Sequence, residues 1–515
     1  MTRFWLLVAF LSTAVVARHP ALHPFIFGRP VDRGFVGHGE HVAGISHSDY
    51  ENLDAQVQKF NFSQKVDNFD VNNNAVYNQR YWYNPTYSQK KNIIFLMIQG
   101  ESPATDLWIT NGGYQYLQWA KMFGADAFQL EHRCFGYSRP YPDTSFKNIK
   151  VCTMEQALAD IHNFINAMNK KYNFQNPKWV TFGGSYPGAL SALFRATYPQ
   201  DTVGAVASSA PMLWTLDFFQ YTQVMEDVIT QTDPNCRDQV ALAFSTMQTL
   251  TLNGQITKLN SYFQLDPPFV NGNYTQKDID NFFSNVVGYF QGVIQYTYDG
   301  RNDATKNGLN VKNLCQIMTD NKKIPDVVSR VKAVIDWINK MNGDPVGPFA
   351  NSYSDMIKAL VNGTYDDENF QQNAAARGWM WLCCNELGVL QTTDQGRNIF
   401  QQTIPLNYYI DMCTDMFDPS VDIKYIRDRN LRTLNTFGGN ANYKATNVVL
   451  PNGSYDPWHV LGTNATDSVN HVTPLLIQGA AHCSDMYPTY PNEPAALASN
   501  RAIIQNQLQY FLGIN

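Results

Sequence analysis

The stretch TFGGSYPGAL, residues 181–190, decides the fold. It joins the apolar run WVTF (179–182) to the alanine-rich ALSALFRATY (189–198), and a serine bracketed by small residues stands at the junction. A strand that turns sharply into a helix holds a serine hydroxyl out from the chain, and small neighbours let strand and helix approach each other. Ser185 therefore reads as a nucleophile on an elbow rather than as a helix cap, the commoner role of serine at such junctions. Pro187 falls in the first helical turn, where a missing N–H breaks no helical hydrogen bond. A residue before proline is steered away from the α region, so the aim of the Tyr186 N–H is the open question at this turn.

Working outward, NIIFLMIQ (92–99), ADAFQLEH (125–132) and VGAVASSAP (203–211) are apolar runs of the same kind. Between them MEQALADIHNFINAMNKKY (154–172) repeats its apolar residues at three and four. Such alternation predicts a mostly parallel α/β sheet covered on both faces. From 213 to 425 the pattern gives way to helical segments such as VVSRVKAVIDWINKMN, joined by polar connections. Strand-like runs return at TNVVLPNG (446–453) and HVTPLLIQGAAH (471–482), and a last helix follows. The expected organisation is a core of residues 61–212 and 426–515 interrupted by a helical cap insertion, 213–425. Residues 18–60, rich in His, Gly, Arg and Pro, read as a propeptide-like or surface-wrapping arm.

A formal net charge of -6, with Lys and Arg scattered, argues against a nucleic-acid partner. MTRFWLLVAFLSTAVVA (1–17) has the basic start, apolar run and small-residue end of a signal peptide; the run breaks short of the roughly 20 apolar residues a membrane anchor needs. A secreted or lysosomal protein without membrane contact is expected. In an oxidising compartment eight cysteines predict disulfides, and neither a metal nor a cofactor is expected. Sequons stand at Asn61, Asn273, Asn362, Asn452 and Asn464, of which Asn61, Asn273, Asn362 and Asn464 are the expected glycosylation sites.

A serine hydroxyl is a weak nucleophile until a base takes its proton and an acid orients that base. Functional groups of an open parallel sheet gather beyond the carboxyl ends of its strands, and where serine comes first the acid and then the histidine follow. Of the late histidines, His471 opens a strand at the wrong end and His459 lies three residues from the best acid. His482, just beyond PLLIQGAA, is the base by elimination. Asp456 in NGSYDPW follows a strand end on a turn fixed by Pro457, with a plain turn-forming role as its alternative and Asp467 and Asp485 as weaker rivals. Two backbone donors for developing negative charge are expected at Tyr186 and, in the loop after the 92–99 run, at Glu101. Glu131 and Arg133 in EHRCFG read as a structural ion pair beneath the site, and the tryptophans of RGWMWLCC (377–384) as core or cap packing.

Taken together, QGE (99–101), EHRCFG (131–136), EQALADI (155–161), GGSYPGALSA (183–192), ASSAP (207–211), the run from Trp379 to Glu386, NGSYDPW (452–458) and AHCSDM (481–486) carry a resemblance. From about residue 60 onward the chain resembles the serine peptidase family of lysosomal prolyl carboxypeptidase, dipeptidyl peptidase II and thymus-specific serine protease, and its arm GRPVDRGF (28–35) and the His482-Cys483 pair look closer to the thymus-specific and nematode-type secreted branch. The resemblance implies an α/β-hydrolase core with a helical cap. It also implies cleavage of proline-containing peptides beside proline, releasing either one C-terminal residue or an N-terminal dipeptide. It carries the triad to Ser185, Asp456 and His482, the oxyanion donors to Tyr186 and Glu101, and the pocket for the residue before the scissile bond to Trp458. It also pairs Cys236 with Cys315 and Cys384 with Cys413, which leaves Cys383 for Cys483. Cys134 and Cys152 stand where the family commonly has other residues and are expected to bond to each other, a short loop worth about 3 kcal/mol. Pro187 and Trp381-Leu382-Cys383-Cys384 also depart from the family pattern. These departures keep in view a secreted binding protein with weakened catalysis, and because an elbow alone does not name the acyl group, an esterase- or lipase-like hydrolase is a second rival. A homodimer is left open.

Overall fold

The computed structural model describes residues 22, 25, 26, 28–30, 52–90, 92–298, 308–342, 344–365, 368–396, 398–491 and 493–514. The signal peptide expected at 1–17 and most of the arm expected at 18–60 lie outside the described residues. Eight strands build one sheet: β1 Gln58–Lys65, β2 Val76–Asn84, β3 Ile93–Ile98, β4 Asp126–Leu130, β5 Lys178–Gly184, β6 Gly204–Ser208, β7 Val448–Gly453 and β8 Val472–Ile477. Their order is β8-β7-β6-β5-β3-β4-β2-β1, with β1 and β2 antiparallel and the pairs from β4 to β8 parallel. This is the mostly parallel sheet of an α/β-hydrolase.

Every residue of β3 is buried, and the pleat deals them alternately to two cores. Ile94, Leu96 and Ile98 join a core covered by helices α1 (Met154–Lys171) and α2 (Tyr186–Thr197). Ile93, Phe95 and Met97 join a second core, covered by the helix Gln115–Phe123 and by α4 (Ala495–Leu512). Burial on both faces is why β3, β5, β6 and β7 read as continuous apolar runs, each large side chain contributing about 1.5–3 kcal/mol. β1 and β2 were not among the expected strands. Their faces are unequally buried, and polar residues such as Gln58, Asn61 and Asn78 occupy the exposed positions.

Between Ser208 and Val448 the described residues are mainly helical, the strands there being the short parallel pair Leu265–Asp266 and Phe349–Ala350. Among these helices is α3 (Gln276–Gln295), whose start is a reciprocal capping box between Thr275 and Asp278. Three disulfides are formed, Cys134 to Cys152, Cys236 to Cys315 and Cys384 to Cys413. Cys383 and Cys483 are not joined, contrary to the pairing left over by counting. Cys383, in the turn that follows the helix Glu368–Leu382, and Cys483, beyond the last strand, are both buried but pack in different clusters of buried residues.

Glu131 and Arg133 do not pair with each other either, because each has its own partner of opposite charge. Glu131 meets Arg80 and also accepts from Ala104 N, Tyr137 N and Ser138 Oγ. Arg133 forms a two-pronged pair with Asp160, Nε to Oδ2 at 2.7 Å and Nη2 to Oδ1 at 2.6 Å, and its remaining N–H groups donate to the carbonyls of Lys65, Val66 and Val151. Both members of that pair are wholly buried. Of the sequons, Asn61, Asn273 and Asn464 are exposed and Asn362 is half-buried, whereas Asn452 is buried at the end of β7, where no glycan fits.

Candidate active site

Ser185 stands between β5 and α2 with φ 64° and ψ -132°, a left-handed conformation that costs a non-glycine residue about 1–3 kcal/mol. The surroundings enforce it. An ideal Cβ on Gly183 would lie 2.1 Å from the carbonyl oxygen of Pro187, so the strand must be bare where the helix folds back over it. The Ser185 N–H donates to Ser208 O at 2.9 Å, and Ser185 O accepts from Ala189 N at 3.0 Å. Within 181–190 only Ser185 is not fully buried, so the turn presents the serine.

Asp456 follows β7 and caps the short 3-10 helix Pro457–Leu461, with Oδ1 accepting from Trp458 N at 2.9 Å. Its other oxygen, Oδ2, lies 2.8 Å from His482 Nδ1. The carboxylate thus forms a turn and engages a histidine at once. Because a carboxylate oxygen accepts, Nδ1 carries the proton and Nε2 keeps its lone pair. Both residues are buried, His482 at 1% and Asp456 at 0% exposure. Gly453 makes the approach possible: a Cβ there would fall 2.3 Å from Ala480 O and 2.4 Å from Ala481 O. Tyr455 N donates to Ala480 O at 2.9 Å, closing the loop onto the strand end.

The serine turn and the histidine loop meet at the end of β6. Ser208 receives the Ser185 N–H, and its neighbour Ser209 accepts from Cys483 N through Oγ at 2.9 Å. Ser208 Oγ donates to Asp485 Oδ2 at 2.5 Å; burial pushes that carboxyl up to about 6 although the Ser208 hydroxyl and Arg501 pull it down. His471 lies at the opposite end of β8 and stacks on Tyr510, while His459 Nδ1 donates to Asp456 O at 2.7 Å. Neither reaches the carboxylate of Asp456.

Tyr186 opens α2, and its ring is fixed from two sides. His132 Nδ1 lies 2.7 Å from the carbonyl of Arg133, which can only accept, so Nε2 accepts from Tyr186 Oη at 3.1 Å. Burial lowers His132 to about 4 and keeps it neutral for that role. Trp379 packs edge-on to Tyr186 at 6.1 Å and to Trp458 at 6.5 Å, so this tryptophan borders the site, whereas Trp381 packs away from it against Phe146 and Phe417. Pro187 abuts the loop after β3: a Cβ on Gly100 would lie 2.3 Å from its ring. The next residue, Glu101, is buried; burial pushes its carboxyl up, and Arg29 and His482 are near enough to pull it down.

Trp458 lies in an aromatic box with Phe218 and Tyr221, its ring centroid 5.4 and 5.9 Å from theirs. Its Nε1 donates to Gln295 Oε1 at 2.9 Å, which also accepts from Tyr221 Oη at 2.6 Å. The Gln295 carbonyl accepts the His482 N–H at 3.0 Å. The last residue of α3 therefore holds both the histidine loop and the tryptophan. No pattern in the sequence marks it, since it is a polar residue inside the apolar run FQGVIQY.

Glu386, in the π-helical turn Cys383–Leu387, lies close enough to the Tyr186 hydroxyl to oppose its ionisation. Burial drives its carboxyl up to about 8, although Met154 N donates to Oε2 at 2.9 Å. A carboxyl raised from an ordinary value near 4.5 contributes stability that is fully present below about pH 4.5 and lost as pH rises through about 8. Asp485 acts with the same sign. Glu386→Gln is accordingly expected to flatten the fall in melting temperature between pH 5 and pH 8, which a thermal-denaturation series on both proteins will show; equal slopes would count against it.

Residues 64–504 match the family model for Serine carboxypeptidase S28. Of the relatives, a Caenorhabditis elegans protein named as a serine protease, F56F10.1, is 47% identical over 515 residues, covering 98% of this chain and 94% of its own. The thymus-specific serine protease of Mus musculus is 27% identical, covering 87% and 86% of the two chains. The lysosomal Pro-X carboxypeptidase of Homo sapiens is 25% identical, covering 86% of each. With the family model spanning the elbow, the Asp456–His482 contact and nearly the whole sheet, this chain belongs to the S28 family and is a serine peptidase.

Proposed function

We propose that Ser185, His482 and Asp456 form the catalytic triad of a secreted or lysosomal exopeptidase that cleaves peptides next to proline through an acyl-enzyme. The observation that carries the reading is the 2.8 Å contact between His482 Nδ1 and Asp456 Oδ2, buried beside an elbow that strains Ser185. His482 Nε2 takes the Ser185 proton as Oγ attacks the peptide carbonyl, then returns it to the leaving amine; Asp456 holds the ring and stabilises its charged form. The N–H groups of Tyr186 and Glu101 receive the negative charge that develops on the carbonyl oxygen. Pro187 leaves the Tyr186 N–H in place and props the Gly100–Glu101 loop, so it serves both donors. Trp458 and its aromatic neighbours suit the flat ring of a proline before the scissile bond. The name of the human relative, a lysosomal Pro-X carboxypeptidase, is consistent with such a substrate and with a lysosomal compartment.

The test is covalent. A fluorophosphonate should label the protein and leave Ser185→Ala unlabelled, and proline-containing peptides with free or blocked ends should be cut only when one particular end is free. Labelling that persists in Ser185→Ala would overturn the nucleophile. Hydrolysis of acyl esters without peptide cleavage would favour the esterase reading.

A further inference from the structure

The two-residue strands Phe25–Ile26 and Arg29–Pro30 pair antiparallel and lie against the candidate site. Gly28, Arg29 and Pro30 are buried. The Gly28 carbonyl accepts from Gln295 Nε2 at 3.0 Å, so the residue that holds the His482 loop and Trp458 also grips the main chain of this segment. Gly28 is seated directly on the tryptophan: a Cβ there would fall 2.5 Å from Trp458 Cζ2 and 2.3 Å from Gln391 Nε2, in a backbone conformation with φ +68°. Arg29 Nη2 donates to Ser102 Oγ at 2.9 Å, and its guanidinium charge is near enough to Glu101 to favour the ionised carboxylate. Phe25 packs on Tyr296, whose ring in turn packs on His482. On α3, a Cβ at Gly288 would lie 2.9 Å from Phe25 O, so the helix is bare where the segment crosses it.

Main-chain capture by an amide, one cation against a buried carboxylate and a small residue against an aromatic face are how a cleft holds an extended peptide. We propose that this segment is a tethered pseudosubstrate: Gly28, Arg29 and Pro30 fill the peptide cleft beside Trp458 and His482, and the subsite of Glu101 and Ser102 that Arg29 occupies takes a cationic side chain of a substrate peptide. The proposal rests on the catalytic reading of Ser185 and His482. Glu101 Oε2 is buried and accepts no hydrogen bond among the described residues, so Arg29 acts on that carboxylate through its charge while its own hydrogen bond goes to Ser102 Oγ. An enzyme with its cleft filled in this way is held back until the segment leaves, and the intramolecular tether keeps the local peptide concentration high.

Two full-chain variants displace the segment by different physics. Arg29→Glu places like charges at Glu101, and Gly28→Val drives a side chain into Trp458. A fluorescent peptide of residues 22–30 (LHPFIFGRP) should bind both variants at least ten-fold more tightly than it binds the unsubstituted protein, read by anisotropy, and the same peptide with alanine for arginine should lose at least ten-fold. Fluorophosphonate labelling of Ser185 should be at least ten-fold faster in both variants. Equal peptide binding by all three proteins overturns the pseudosubstrate, and equal affinity of the arginine and alanine peptides overturns the cationic subsite. Differential binding with no labelling of any form would instead support the occupied cleft and overturn the catalytic reading of Ser185, so the two failures are distinct.

Discussion

His482→Ala is expected to lower kcat by about a million-fold, and Asp456→Asn by about ten-thousand-fold, in peptide hydrolysis assays. The two losses differ because the residues have different tasks. In the proposed triad the imidazole is the group that takes the Ser185 proton, so its removal is expected to return the hydroxyl to a poor nucleophile. With asparagine at 456 the imidazole stays, but an amide N–H facing Nδ1 favours the tautomer that carries its proton on Nε2, the nitrogen that must accept. Asp456→Asn also keeps an oxygen for the Trp458 N–H, so the turn at Pro457 and the fold survive. The rate expected to remain is that owed to the proposed oxyanion donors and to binding, and KM should change far less than kcat. A His482→Ala protein with near-normal turnover would show that another residue is the base. An Asp456→Asn protein that loses its fold rather than its rate would show that the carboxylate serves the turn first.

The second large effect concerns stability. Asp160→Ala is expected to lower the free energy of unfolding by about 3–5 kcal/mol, because it leaves Arg133 charged, wholly buried and without its carboxylate. The damage spreads, since Tyr77 and Asn68 also lose the oxygens they donate to and the end of β1 is tied to Arg133 through Lys65 and Val66. Glu155→Ala is the comparison: its partner Arg432 is 58% exposed, and water screens that pair to within about 1 kcal/mol. Urea denaturation of both variants checks the contrast, and a similar shift in midpoint for the two would show that Arg133 finds other compensation.

Much of this molecule was legible before any coordinates. Strands buried on both faces announce themselves as apolar runs, so β3, β4, β5 and β7 could be placed to within a residue or two, while the runs for β6 and β8 continued past the strand ends at Ser208 and Ile477. That Asp456 and His482 would each stand at a strand end was legible from NGSYDPW and the run before His482; that the two strands are neighbours was not. β1 and β2 were illegible because antiparallel strands with one wetter face carry Asn, Gln and Arg that also suit loops. Gln295 was illegible for another reason: an amide that satisfies three groups from distant parts of the chain has no local signature. The pairing of Cys383 with Cys483 failed because counting cysteines ignores which buried cluster each one packs in. Trp379 was read as packing, and it does pack, but against Tyr186 and Trp458.

The order of strands in the chain also has a meaning in time. β6 ends at Ser208 and its sheet neighbour β7 begins at Val448, so synthesis must deliver the whole helical insertion before the sheet can extend past β6. The elbow leaves the ribosome early, and the histidine loop emerges only with the last tens of residues. If His482 is the base, as proposed, a chain still being translated has a serine with no base beside it, and activity is expected only once the last strand has docked.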